Sequence, residues 1–115
     1  MTDRELALRA EIMRAFAATG APPAAPDRPE LRGLAERHVV VLDERGSVRM
    51  AHPFAAHRDG ARVDADGRTW WGNCAWDAYG IVAALGLRNA AIDPDGTLFH
   101  VAVPAREWWA DIGFT

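Results

Sequence analysis

The sequence predicts an α+β protein: a helical, winged-helix-like N-terminal module, then a small, mostly antiparallel sheet with a cysteine-bearing helix. Three observations predict it. Apolar residues recur at helical spacing as far as Arg37; strand-like runs separated by turn residues follow; helical spacing then returns once, over residues 74–85. A boundary near residue 58 separates a helix-plus-hairpin module (1–58) from a cysteine-bearing core (59–115).

Thr2 and Glu5 have the spacing of a capping box, in which each side chain accepts the other's backbone N–H. Leu6, Leu8, Ile12, Met13 and Phe16 continue at roughly helical intervals, and Gly20 closes the helix. APPAAP (21–26) places three prolines in six residues, which makes a stiff, extended connector. Asp27 and Pro29 open a short second helix with Leu31 and Leu34 inward, ending near Arg37. HVVVLD (38–43), a turn at ERG and SVRMA (47–51) read as a β-hairpin. Two helices followed by a hairpin is a winged-helix order, although the same order also serves simple packing of helices on a sheet.

HPFAAHRDG (52–60) reads as a loop. ARVDADGRTWW (61–71) reads as a second hairpin, with its turn in DADG. Gly72 and Asn73 break the strand, and a helix runs from Cys74 to Leu85. Its expected apolar face is Cys74, Trp76, Tyr79, Ile81, Val82 and Leu85, with Gly86 at its end. AAID (90–93), the turn PDG and LFHVAVP (98–104) form a third hairpin, and AREWWADIG (105–113) a last short helix.

Composition bounds the function. Half the 115 residues are apolar and a quarter charged, as in an ordinary globular chain. The net charge of −3 supplies no global basic field, which argues against nucleic acid as a partner. Arg28, Arg32, Arg37 and Arg45 are interleaved with Asp27, Glu30, Glu36, Asp43 and Glu44, a mixture that suits a solvated surface. A single cysteine excludes an intrachain disulfide. The charged N-terminal stretch is unlike a signal peptide, and no apolar run approaches the roughly 20 residues of a membrane span, so a cytoplasmic location is expected.

RTWWGNCAWDAYGI (68–81) holds the candidate site. Cys74 falls at a strand-to-helix junction, where unpaired backbone N–H groups and the helix dipole favour a thiolate. Asp77 lies three residues on, one helical step along the same face. A soft thiolate beside a carboxylate suits a soft metal ion together with a proton donor or acceptor. Each residue also has a plainer reading: a lone cysteine among tryptophans is often a small buried hydrophobe, and an aspartate in a first turn often serves the dipole. Trp70, Trp71 and Trp76 crowd the junction, as core packing or as an apolar wall for an alkyl or aryl group. Trp108 and Trp109 stand near the end of the sequence. The four histidines lack paired metal-ligand spacing and read as structural or solvated; His52, in AHPF, is the one of interest.

WWGNCAWDAYGI resembles the segment around the first catalytic cysteine of bacterial alkylmercury (organomercurial) lyases, an aromatic strand running into Cys-Ala-x-Asp. LAERHVVVLDERGSVRMAHPF and the terminal WWADIGFT are similar to short members of the broader family, so the likeness extends from about Leu31 to Thr115. It implies cleavage of a carbon–mercury bond by protonolysis, with Cys74 as the mercury-binding thiolate and Asp77 as the proton carrier. It also implies an organomercurial small molecule as substrate, Hg(II) as bound product on Cys74 and Asp77, no required cofactor, and small-molecule thiols as co-reactants. The family's second catalytic cysteine lies C-terminal to this element, whereas this sequence has one cysteine. A homodimer with Cys74 near its axis would bring two thiolates together. A single thiolate binds mercury but donates less electron density into the carbon–mercury bond, so slow turnover is expected. The alternative is a non-enzymatic winged-helix-type regulatory or ligand-sensing module.

Overall fold

The computed structural model describes residues 1–24, 28–93 and 99–102, the last four for their backbone. Among them are three helices and two small antiparallel sheets, an α+β architecture. The turn of the third hairpin, the helix expected over 105–113, Asp27, Trp108 and Trp109 lie outside the described residues.

Helix α1 (Asp3–Thr19) begins with the capping box read from the sequence, Glu5 N–H on Thr2 Oγ1 at 3.1 Å and Thr2 N–H on Glu5 Oε1 at 3.0 Å. Leu8, Ile12 and Phe16 are buried at the i, i+4 spacing of one face. Leu6 faces outward, and the fourth buried position is Glu5. Its carboxylate also accepts from Arg37 Nε at 3.3 Å, linking α1 to the end of α2 (Pro29–Glu36).

The hydrogen bond from the Thr2 backbone, helped by Arg37, holds the Glu5 carboxyl below its ordinary value of 4.5. A lowered folded value means that Glu5 stabilises the fold fully above that value and loses its contribution as pH falls through the folded one. Glu5→Gln is therefore expected to be less stable than wild type at pH 7, with the gap in urea midpoint closing on acidification. A gap independent of pH would contradict this.

α2 buries Leu31 and Leu34 and ends in a Schellman turn, with His38 N–H on Ala35 O and Val39 N–H on Leu34 O, both at 3.0 Å. His38 occupies the left-handed position at φ +59. This turn consumes residues expected to start the first hairpin, so β1 is only Val41–Leu42, paired with β2 (Val48–Ala51). A further strand, β3 (Phe54–Ala55), forms inside the expected loop because the chain folds back on β2, pairing Ala51 with Phe54 and Met50 with Ala55.

The second sheet has the order β5-β4-β6-β7, antiparallel throughout. β4 (Ala61–Ala65) and β5 (Arg68–Gly72) meet at a two-residue turn, Asp66 and Gly67, both at positive φ, the geometry that fits a right-twisted hairpin. Helix α3 (Ala75–Leu85) then carries the chain over the sheet to β6 (Asn89–Asp93), on the other side of β4, and β6 pairs with β7 (Phe99–Ala102). One core takes residues from the whole described chain: Leu8, Ile12 and Phe16 from α1, Phe54 from β3, Val63 and Trp70 from the second sheet, Ile81 and Val82 from α3. Phe16 and Phe54 stack with ring centroids 5.4 Å apart. No helix among the described residues is long and apolar enough to cross a membrane.

Candidate functional site

The site begins where β5 becomes α3. Gly72 is buried, and a Cβ there would lie 2.9 Å from Asp77 Cβ and 3.0 Å from Ala78 N. Only glycine lets the first turn of α3 fold this closely onto the end of β5. Gly72→Ala is expected to destabilise the fold by about 1–3 kcal/mol, as overpacking does, through displacement of the turn that carries Asp77. Urea unfolding tests this, and an unchanged midpoint would contradict it.

Cys74 is the N-cap residue of α3, in extended conformation (φ −150, ψ 175). Its carbonyl accepts from Ala78 N–H at 3.1 Å, while its thiol makes no capping bond and is exposed. It is therefore not the buried small hydrophobe of the plainer reading. Asp77, in the first turn, is buried, with its Cβ close against Gly72. The helix turns Asp77, Ala78, Ile81 and Val82 inward and leaves Trp76 and Tyr79 exposed, so the expected apolar face is rotated. An aspartate occupies the inward stripe because it has a partner there.

That partner is His52. Its Nδ1 lies 3.0 Å from Asp77 Oδ1, with the aspartate side chain 7% exposed and the histidine 69%. The tight β2–β3 turn places it, with a cis His52–Pro53 bond, and Gly80 of α3 leaves room for Pro53, which a Cβ would approach to 3.2 Å. A buried carboxylate thus reaches solvent through one imidazole. His52 Nε2 has no protein partner among the described residues.

A second histidine braces the other side of the junction. His57 Nδ1 is 2.5 Å from Asp59 Oδ1 and its Nε2 is 3.2 Å from Asn73 Oδ1, next in sequence to Cys74. The His57 hydrogen bond is the main cause that holds the Asp59 carboxyl below its ordinary range. The sequence reads His57 as structural or solvated and Asn73 as a strand breaker, and it assigns no role to Asp59; the HxD spacing in HRDG is the sign of the His57–Asp59 pair.

The tryptophans divide. Trp70 is buried, donates its indole N–H to Ala17 O at 3.0 Å and lies under Arg68, so it anchors α1 to the sheet and plays no part in a wall at Cys74. Trp71 is half-buried, and Trp76, 68% exposed, stands two residues beyond the thiol. Among the described residues no group of three or more His, Cys, Asp or Glu side chains is placed to hold a metal ion. Cys74 and Asp77 share one helical turn, one exposed and the other buried, and their side chains share no hydrogen bond. Comparisons with protein-family models, with curated proteins and with solved structures found no match.

Proposed function

We propose that the protein captures an organomercurial cation or Hg(II) through Cys74, with Asp77 as the proton carrier for slow protonolysis of the carbon–mercury bond. The observation that carries this reading is the exposed thiol at the start of α3, in the same turn as a buried carboxylate that His52 connects to solvent. The likeness of WWGNCAWDAYGI to the organomercurial-lyase segment supplies the substrate class.

The chemistry closes. The Cys74 thiol exchanges its proton for RHg⁺, forming a sulfur–mercury bond. Asp77, reloaded through His52, gives a proton to the carbon as the carbon–mercury bond breaks. The hydrocarbon leaves, and Hg(II) stays on the thiolate and the new carboxylate until small-molecule thiols remove it. With one thiolate, electron donation into the metal is weaker than with two, which sets the slow rate. A titration in thiol-free buffer tests capture: one equivalent of Hg(II) is expected to bind more tightly than Zn(II), which needs more N/S donors than the site offers. Tighter zinc binding would overturn the reading.

The finer fold reading, a winged-helix-like N-terminal module, draws on the order α1, α2, β1, β2 and supports a second function, a non-enzymatic regulatory or ligand-sensing module. Two of the arginines interleaved with acids in that module are engaged within the protein, Arg28 with Glu11 at 3.0 Å and Arg37 with Glu5 at 3.3 Å. Engaged arginines weigh against a DNA-reading face and support the mercury reading over this one; a gel shift at low salt separates the two.

A further inference from the structure

A cleft of about 630 Å³ opens between the C-terminal end of α1, the segment after β3 and the β4–β5 hairpin. Among the described residues its lining includes Arg58, Arg62, Arg68, Thr69 and Trp71 and no carboxylate side chain. Three arginines lining one cleft stand out in a chain whose net charge is −3.

Two of the three are held in place. Arg68 donates through one terminal nitrogen to Ala17 O at 2.6 Å and Ala18 O at 3.3 Å, and sits 4.9 Å from the Trp70 ring. Arg62 donates from Nε to Asp64 Oδ2 at 2.9 Å, and a terminal nitrogen lies 3.8 Å from Asp93 Oδ2. Asp64 and Asp93 offset the charge of Arg62 while orienting it, so among the described residues the uncompensated charge belongs to Arg58 and Arg68. Arg58 is exposed and makes no hydrogen bond or ion pair among the described residues. Trp71, the cross-strand partner of Arg62, adds a half-buried indole.

We propose that this cleft binds a small organic anion, a carboxylate or phosphate carried on a flat ring. Guanidinium groups pair with carboxylate and phosphate oxygens through two parallel N–H donors, and a prepositioned fork loses little freedom in doing so. Indole and guanidinium faces both stack on planar rings. The volume falls within the roughly 300–1,000 Å³ of small-molecule sites. The positive groups are gathered at one cleft, whereas a nucleic-acid strand needs a longer basic track with several stacking rings. The site is independent of the mercury reading and uses none of Cys74, Asp77 and His52.

The test is a calorimetric titration, with tryptophan fluorescence in parallel, of 1-naphthoate and adenosine 5′-monophosphate against the uncharged 1-naphthamide and adenosine. Saturable binding of at least one anion is expected, with its neutral counterpart weaker by about tenfold or more, the scale of a charge-assisted hydrogen bond. Arg58→Gln removes no hydrogen bond or ion pair among the described residues, so it should unfold like wild type yet bind that anion about tenfold more weakly. Three results would each overturn the proposal: no saturation by either anion up to roughly 10 mM, equal affinity for charged and neutral probes, or an unaltered Arg58→Gln. Tighter binding of a single-stranded oligonucleotide than of either anion would overturn it too.

Discussion

Cys74→Ser is expected to abolish stoichiometric capture of Hg(II) and of phenylmercury while leaving the fold as stable as wild type or more so. Serine keeps the shape of the side chain but replaces a soft, readily ionised sulfur with a hard hydroxyl, a poor ligand for a soft cation. The structural side of the argument comes from the helix. Position 74 is the N-cap of α3, and the thiol makes no capping bond there. A serine hydroxyl at an N-cap accepts from the N–H groups of the first turn, and such caps contribute about 0.5–2 kcal/mol relative to alanine. Loss of binding in a protein with an equal or raised thermal midpoint then has a single explanation, the sulfur itself. Titration of both proteins in thiol-free buffer, with intact-mass detection of the adduct, reads the outcome. Equal mercury affinity in the two proteins would end the proposed role of Cys74.

The sequence revealed those parts of the fold that local chemistry decides. The Thr2–Glu5 box, the 8, 12, 16 stripe of α1, the turn at Asp66–Gly67 and the helix ends at Gly20 and Gly86 each depend on residues within one or two turns of chain. What stayed hidden depends on residues brought together from afar. β3 exists because residues 54 and 55 find partners on β2, and a two-residue strand has no periodicity to read. The rotation of α3 follows from the sheet beneath it: Gly72 admits Asp77 at the inward stripe, which leaves Trp76 and Tyr79, apolar by type, facing out. Trp70 stood beside Cys74 in sequence, yet strand alternation and the Ala17 carbonyl fixed it under α1.

The candidate site divides along the same line. Cys74 and Asp77 were legible from spacing. His52 was singled out only within AHPF, and its contact with Asp77 required the β2–β3 turn and the gap over Gly80. The contact between Asn73 and His57 was not legible, because it joins a loop to a helix start. A histidine paired with a carboxylate flanks each side of the Cys74 junction, and both histidines come from the same short segment around β3.

Asp77→Asn is expected to cut hydrocarbon release from phenylmercury by about 10²–10⁴-fold, the contribution of a positioned proton donor, while sparing mercury capture. The substitution is nearly isosteric, so the fit against Gly72 is kept, and the amide oxygen still accepts a hydrogen bond from His52 Nδ1. What is lost is the ability to hold a proton and surrender it to carbon. Binding should persist, because affinity for mercury resides in sulfur, and a carboxylate oxygen is a hard ligand that adds little to a soft cation. Because a single thiolate is expected to make turnover slow, benzene is best measured under single-turnover conditions, with protein in excess over phenylmercury and a fixed concentration of small-molecule thiol. Capture is read in the same samples from the mass of the adduct. Release that persists unchanged in Asp77→Asn would remove the aspartate from the chemistry and assign the proton to solvent or to His52 directly. Capture falling together with release would make Asp77 a mercury ligand first and a proton carrier second. Capture intact with release lost is the pattern that a buried acid, connected to solvent by one imidazole and set one helical turn from the sulfur proposed to bind mercury, should produce.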